Sequence, residues 1–254
     1  MMYQNYQPIM AYLSQHTPYR FELKLGKTYE DTVNFLRDGV VDIASFGAVT
    51  YLEAHRDFGA IPILRPLNKE GKPFYHSIII TRADSDIQRL EDLKGRSFAF
   101  ASIRSTSGNL IARLDLAQAG IHLWDFSRYT NFKHHDSVAK AVLTGAYDAG
   151  SLKDVVAYKY RDKGLRFLHI SEPIPSVPIA VRPDAPPAFV AAVQEALLRL
   201  DPADPQDRAL MQDWDPEFRN GFIKARDADY DIIRQKLNAI PNGCGQGCHP
   251  PISF

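Results

Sequence analysis

Hydrophobic residues recur along this chain at two spacings, one typical of helices and one typical of strands. Tyr29, Val33 and Leu36 share one face of a predicted helix. Thr28 stands before them as a good N-cap, and Gly39 stands after them where glycine commonly ends a helix. The segment therefore predicts a capped helix with one buried face.

Shorter apolar runs alternate with such helical patterns over most of the chain. Strands are predicted at residues 21–25, 40–46, 61–64, 76–81, 98–102, 128–130, 147–151 and 166–170. Further helices are predicted at residues 6–13, 50–55, 110–117, 137–143 and 155–161. This alternation predicts an α/β fold with mostly parallel sheets covered by helices on both faces. Ligands of such sheets bind beyond the carboxyl ends of the strands, beside helix N-termini.

Length and charge limit the possible partners. The 254 residues are enough for one large α/β domain or for two lobes. The 30 basic and 30 acidic residues give a formal charge of zero, so no broad basic field favours nucleic acid or an anionic membrane. The longest apolar run, 188–193, is far shorter than the roughly 20 residues of a bilayer span. Any bound anion must therefore be held by a local site.

The two cysteines, Cys244 and Cys248, lie beside His249 in a predicted tail, 241–254. Their close spacing fits a local disulfide in an oxidising compartment. It also fits, with one residue too many, a haem-attachment signature. A tail without either feature is the third alternative, and the sequence leaves all three open.

The segment FAFASIRSTSGNL ends an apolar strand where a helix begins. Four residues suited to anion binding follow that strand: Ser105, Thr106, Ser107 and Gly108. Hydroxyl groups and the free N–H groups of a helix start can donate to an oxyanion, and glycine lets the backbone approach it closely. Taken alone, the motif fits an ordinary N-cap equally well. No lysine follows the glycine as in a nucleotide P-loop, so we expect a small anion.

Two further segments carry candidate donors. His134, His135 and Asp136 open a predicted helix, where an imidazole can donate to a bound oxyanion. The alternatives are an exposed capping cluster with Asp136 as the N-cap, or a metal site that lacks a distant partner. Tyr75 precedes a strong strand and either closes a pocket with its ring and hydroxyl or is an ordinary half-buried aromatic.

Catalytic motifs are not found. The sequence has no G-x-S-x-G elbow and no H-E-x-x-H motif, and both cysteines lie in the tail. We therefore predict a binding protein that is not an enzyme and needs no cofactor or metal.

Five segments, taken in order, resemble the phosphonate/phosphite/phosphate-binding proteins of ABC importers. They are YQPIMAYLSQ, TYEDTVNFLRDGVVDIASFGAVTYLEA, FYHSIIITRADSDIQRLEDLKGRSFAFASIRSTSGNL, HHDSVAKAVLTGAYDAGSLKD and IPSVPIAVR. The resemblance covers nearly the whole chain to about Ala239. It implies the type II periplasmic-binding-protein fold, in which two lobes with mostly parallel, helix-flanked sheets are joined by two crossover strands. Residues 1–79 and 177–240 would form lobe 1, and residues 80–176 would form lobe 2.

The resemblance also implies which residues bind the ligand. The family's oxyanion cradle, cleft histidine, pre-strand tyrosine and turn aromatic fall on Ser105, Thr106, Ser107, His135, Tyr75 and Phe46. Phe46 replaces a tyrosine hydroxyl, and Val177 stands where members that bind aminoalkylphosphonates have an acidic residue. Because an unpaired buried ammonium group is costly, we expect phosphate, phosphite or a short alkylphosphonate as the ligand.

The same resemblance implies the setting in which the protein works. We expect a periplasmic or lipid-anchored extracytoplasmic monomer, with its signal segment outside this chain. It would deliver its ligand to an ABC permease in the inner membrane and would not bind nucleic acid. The alternative is a ligand-sensing domain of a signalling system with the same fold.

Overall fold

The structure is a computed structural model and describes residues 2–239. The α-helices are α1 (Met2–His16), α2 (Tyr29–Arg37), α3 (Ala48–Phe58), α4 (Ala112–Gln118), α5 (His135–Leu143), α6 (Asp154–Arg161), α7 (Pro187–Leu198), α8 (Pro205–Met211) and α9 (Asp231–Asn238). The strands are β1 (Ile43–Ser45), β2 (Ile61–Pro66), β3 (Phe74–Tyr75), β4 (Ser77–Arg82), β5 (Ser97–Phe100), β6 (Arg128–Asn131), β7 (Ala149–Lys153), β8 (Leu165–Ile170), β9 (Ile174–Pro175), β10 (Ile179–Val181) and β11 (Phe222–Lys224). A π-helical turn, Thr106–Ile111, runs directly into α4.

Two sheets organise these elements. One sheet has the strand order β1-β10-β2-β11, and the other has the order β6-β5-β7-β4-β8. We call the part of the chain around the four-stranded sheet lobe 1 and the part around the five-stranded sheet lobe 2. The short strands β3 and β9 pair with each other, with Tyr75 opposite Ile174, where the chain passes between the lobes. The predicted two-lobed α/β fold is confirmed.

Strand direction differs between the lobes. In lobe 2, β5 pairs in parallel with β6 and β7, whereas β4 pairs antiparallel with β7 and β8. In lobe 1, β1 and β2 both pair antiparallel with β10, and β11 pairs antiparallel with β2. The antiparallel pairing in the lobe 1 sheet differs from the expected mostly parallel pairing. It arises because β10 returns from lobe 2 and runs between β1 and β2 in the opposite direction.

The exact lobe boundaries, placed at residues 79 and 176, stay a prediction. The sheet pairings bear on them in one respect, since β4 joins the five-stranded sheet from Ser77 onward.

Local signals account well for α2. Thr28 Oγ1 accepts a hydrogen bond from the Asp31 N–H at 3.1 Å, and the Asp31 carboxylate accepts one from the Thr28 N–H at 3.0 Å. These two bonds form a capping box. Gly39, just beyond the helix, has φ +70°, a left-handed conformation that glycine adopts without steric cost. Both predicted ends of this helix are confirmed.

The strand predicted at residues 21–25 is wrong. The segment has no regular secondary structure, and the Phe21 N–H donates to Ser14 Oγ at 2.8 Å rather than to a neighbouring strand. The Phe21 ring packs against Phe189, with ring centroids 6.0 Å apart. The alternation in this segment therefore reflects side-chain packing on lobe 1 without backbone pairing.

The core of lobe 2 follows from the alternation of side chains along β4. Ile78 and Ile80 pack with Val138 on one face of the sheet, whereas Ile79 packs with Phe98 on the other. A separate cluster joins the lobes. Its members from lobe 2 include Leu110 and Ile111, and its members from lobe 1 include Phe46, Ala48 and Tyr51. The helix start after β5 is therefore seated directly against lobe 1.

Among residues 2–239, no helix combines the length and apolar character needed to cross a bilayer. The predictions for Cys244, Cys248 and His249 fall outside the described residues.

Replacing Thr28 with alanine tests whether the capping box stabilises lobe 1. We expect Thr28→Ala to lower the free energy of unfolding by about 1 kcal/mol, because the Asp31 N–H loses its acceptor. Thr28→Ser keeps the hydroxyl and is the matched control. Urea denaturation measures both, and equal midpoints for the two variants would contradict this account of the helix start.

Candidate functional site

A cavity of about 1340 Å³ lies between the two lobes. Seven of the eight predicted site residues line it: Phe46, Tyr75, Ser105, Thr106, Ser107, His135 and Val177. The eighth, Gly108, lies directly behind the lining residues. The structure therefore brings residues from five separate segments of the sequence to one place.

Ser105 begins the helix that follows β5. Its Oγ accepts a hydrogen bond from the Gly108 N–H at 3.1 Å, and its carbonyl accepts one from the Leu110 N–H at 3.1 Å. The first N–H groups of a helix have no acceptor within the helix itself. Those of Thr106 and Ser107 make no hydrogen bond to other residues in the part of the chain that the structure describes. Two backbone donors are thus available beside the cavity.

Gly108 allows this helix start to pack tightly. A Cβ atom at this position would lie 2.3 Å from the Ala101 Cβ and 2.7 Å from the His135 Cε1. The Gly108 carbonyl accepts hydrogen bonds from the Ala101 N–H and the Ser151 hydroxyl, both at 2.8 Å. The helix start is therefore fixed against β5, β7 and the histidine ring, and any side chain would push them apart.

His135 is held as a neutral imidazole. The Lys153 N–H, at the end of β7, donates to His135 Nδ1 at 3.1 Å, so this nitrogen acts as the acceptor. The ring proton of the neutral form then lies on Nε2, which is 3.3 Å from Ser105 Oγ. Burial of the ring, together with the nearby Lys153 ammonium, lowers the pKa of His135 to about 3. At neutral pH the residue is an uncharged hydrogen-bond donor.

Thr106 connects the two lobes. Its Oγ1 accepts a hydrogen bond from the Val49 N–H, in the first turn of α3, at 3.0 Å. A Cβ atom at the neighbouring Gly47 would lie 3.4 Å from the same oxygen. The hydroxyl oxygen therefore accepts from lobe 1, while its proton remains a donor.

Tyr29 and Tyr75 are among the tyrosines that add phenol groups to the cavity lining. Burial raises the pKa of Tyr29 and Tyr75, and the nearby hydroxyls of Ser105 and Ser107 lower them only in part. Both phenols therefore remain protonated. Sequence reasoning missed Tyr29 because helical periodicity grouped it with the buried face of α2, and periodicity does not distinguish a core from a cavity.

A largely buried ion pair also borders the cavity, and sequence reasoning missed it. The Lys153 ammonium from lobe 2 contacts the Glu217 carboxylate from lobe 1, and each side chain is 14% exposed. The Lys153 Nζ lies 4.7 Å from the centroid of the Tyr75 ring. Lys153 ends a buried strand, so the rule on strand ends could have found it. Glu217 lies between α8 and β11 and carries no comparable signal.

Phe46 and Val177 form an apolar part of the wall. Phe46 is 3% exposed and Val177 is 5% exposed. The Phe46 N–H donates to the Pro178 carbonyl at 3.0 Å, so the two segments are held together. Neither side chain offers a charged or hydrogen-bonding group to a charged substituent.

His134 and Asp136 have separate positions at the start of α5. The N-cap of α5 is His134, so the interpretation of Asp136 as the N-cap is wrong. The Asp136 carboxylate instead accepts hydrogen bonds from the Tyr160 hydroxyl at 2.8 Å and the Lys159 ammonium at 2.6 Å. Within residues 2–239, no group of three His, Cys, Asp or Glu residues is arranged to hold a metal ion.

The fold and the cavity define a two-lobed binding protein. The sequence model of the family described as "ABC transporter, phosphonate, periplasmic substrate-binding protein" matches residues 1–230. The chain therefore belongs to that family.

Individual relatives agree with this assignment. The phosphate-import protein PhnD of Mycolicibacterium smegmatis is 31% identical over 171 residues, which are 63% of this chain and 53% of that protein. The chain thus spans about half the length of the curated relatives it matches.

Solved structures share the fold. A binding protein component of an ABC phosphonate transporter from Pseudomonas aeruginosa has a TM-score of 0.83 and 22% identity, over 93% of this chain and 81% of that one. PhnD1 from Prochlorococcus marinus in complex with methylphosphonate has a TM-score of 0.81 and 21% identity, over 92% of this chain and 91% of that one.

The neutral state of His135 predicts a specific pH dependence of stability. Between its ordinary pKa of 6.5 and the folded value of about 3, only the unfolded chain binds a proton at this residue. Acidification from pH 7 to 4 should therefore favour unfolding, by up to about 1.4 kcal/mol per pH unit from this group. We expect His135→Asn to lose less stability than the wild type over this range.

Urea denaturation at several pH values measures the difference. His134→Asn, which changes the exposed neighbouring imidazole, is the matched control and should follow the wild type. Parallel pH profiles for His135→Asn and the wild type would show that His135 is not held neutral.

Proposed function

We propose that this protein captures a small phosphorus oxyanion in the cavity between its lobes and delivers it to an ABC importer. The observation that carries the proposal is the convergence of neutral donors on one helix start: the Thr106 and Ser107 N–H groups, His135 Nε2 and the neighbouring hydroxyls. Family membership supports capture for transport over a sensing role.

The chemistry of the donors favours a tetrahedral oxyanion. The open N–H groups lie at the positive end of a helix dipole, which stabilises negative charge. Hydrogen bonds to a charged group are stronger than those between neutral groups, so several fixed donors can replace the water around an anion. No donor has to change its charge when the ligand enters.

The cavity wall and the relatives narrow the ligand class. Phe46 and Val177 offer no carboxylate or other hydrogen-bond acceptor to an ammonium group, which favours phosphate, phosphite or a short alkylphosphonate. The mycobacterial relative is named for phosphate import, and the Prochlorococcus structure holds methylphosphonate. We propose the same class of ligand here.

Closure of the lobes accompanies capture in this proposal. Besides the Thr106 contact, Arg104 of lobe 2 reaches Glu30 at 3.4 Å and Glu53 at 3.5 Å in lobe 1. These contacts hold the lobes together around the cavity, as in hinged closure on a ligand. The closed form is the form that a permease in the inner membrane would recognise. We propose that the protein acts as a periplasmic or lipid-anchored monomer, in binding rather than catalysis.

Calorimetry with phosphate, phosphite and methylphosphonate tests the proposal. We expect the wild type to bind at least one of them. Ser105→Ala and His135→Ala should each weaken that binding by about 1–3 kcal/mol, because each removes a polar partner beside the oxyanion. Ser127→Ala is the matched control, since Ser127 is exposed in the loop before β6.

Absence of heat with all three ligands in the folded wild type would refute the proposed function. Unchanged affinity in both site variants would refute the proposed site. The protein would then bind the same class of ligand at another location.

A further inference from the structure

The Lys153–Glu217 pair is not needed to hold an oxyanion, yet it borders the cavity that would hold one. Both side chains are largely buried, and each belongs to a different lobe. The Glu217 N–H donates to the Asp215 carboxylate at 3.0 Å, which fixes the backbone of the acidic partner. The pair therefore occupies a defined position in the closed form.

The pair lies next to the proposed oxyanion donors. The backbone of Lys153 holds the ring of His135, and its ammonium group lies over the ring of Tyr75. After burial and the Ser105 side chain, the next influences on the pKa of Tyr29 are the charges of Lys153 and Glu217. A substituent on an oxyanion bound at these donors would therefore lie against Lys153 and Glu217.

The charge of that substituent decides whether the cavity can accommodate it beside the ion pair. An ammonium group is repelled by Lys153, while Glu217 already has a partner. A carboxylate is repelled by Glu217, while Lys153 already has a partner. A buried charge without its own partner is costly, so both are disfavoured. An uncharged hydrogen, hydroxyl or methyl group disturbs neither side chain.

We propose that Lys153 and Glu217 determine specificity by neutralising each other, so that the cavity accepts only oxyanions whose substituent is uncharged. This inference rests on the proposed function and refines it. It assigns the exclusion of charged substituents to two residues from opposite lobes, in addition to the apolar Val177.

Neutralising one partner at a time should change the specificity in opposite directions. In Lys153→Met the Glu217 carboxylate loses its partner and can pair with an ammonium group on the ligand. In Glu217→Gln the Lys153 ammonium loses its partner and can pair with a carboxylate. The double variant leaves no charge and should favour uncharged substituents, as the wild type does.

Calorimetry with methylphosphonate, 2-aminoethylphosphonate and phosphonoacetate measures these preferences as ratios of affinity. We expect Lys153→Met to raise the affinity for 2-aminoethylphosphonate, relative to that for methylphosphonate, at least tenfold. We expect Glu217→Gln to raise the affinity for phosphonoacetate, on the same scale, at least tenfold. Lys94→Met, which removes an exposed lysine from lobe 2, should keep the wild-type ratios.

Thermal unfolding checks each variant, and Lys153→Gln and Glu217→Leu replace a first variant that does not fold. Equal changes in affinity for all three ligands would overturn the inference, since the pair would then only hold the lobes together. That result leaves the proposed function intact. A wild type that binds none of methylphosphonate, phosphite and phosphate would instead refute the proposed function, and this inference with it.

Discussion

One hydrogen bond organises the candidate site, the bond from the Lys153 N–H to His135 Nδ1. It joins the end of β7 to the first residue of α5, and it leaves the imidazole proton on the nitrogen that faces Ser105. Gly108 lies beneath the same ring, so the helix start and the histidine are positioned together. The orientation of the main side-chain donor is thus set by backbone geometry and does not depend on a ligand.

The proposed anion site consists of neutral donors even though charged groups lie close by. His135 is uncharged because its ring is buried, and the phenols of Tyr29 and Tyr75 stay protonated for the same reason. Two largely buried charged side chains in the cavity lining, Lys153 and Glu217, are paired with each other. An anion in this environment would be stabilised by oriented dipoles, which are strong where water is excluded.

Local rules explain which parts of the fold and site could be predicted. The capping box at Thr28 and the helix start at Ser105 depend on neighbouring residues, so sequence spacing was enough to find them. Tyr29 and Glu217 line the cavity only because two lobes that are far apart in the sequence pack together there. No local sequence pattern reports that packing. The segment at 21–25 has strand-like alternation, but whether a strand forms depends on a partner strand, which spacing does not report. The position of Tyr75 before a strong strand made it a weak candidate, and resemblance to a known family supplied Phe46 and Val177, which had no signal of their own.

A crystal structure of the protein with methylphosphonate tests the central claim most directly. We predict phosphonate oxygens at hydrogen-bond distance, about 2.7–3.2 Å, from the Thr106 and Ser107 nitrogens and from His135 Nε2. We expect the methyl group to point toward Phe46, and we expect Lys153 and Glu217 to remain paired with each other. Phosphonate bound elsewhere, or bound with its oxygens turned away from this helix start, would contradict the account.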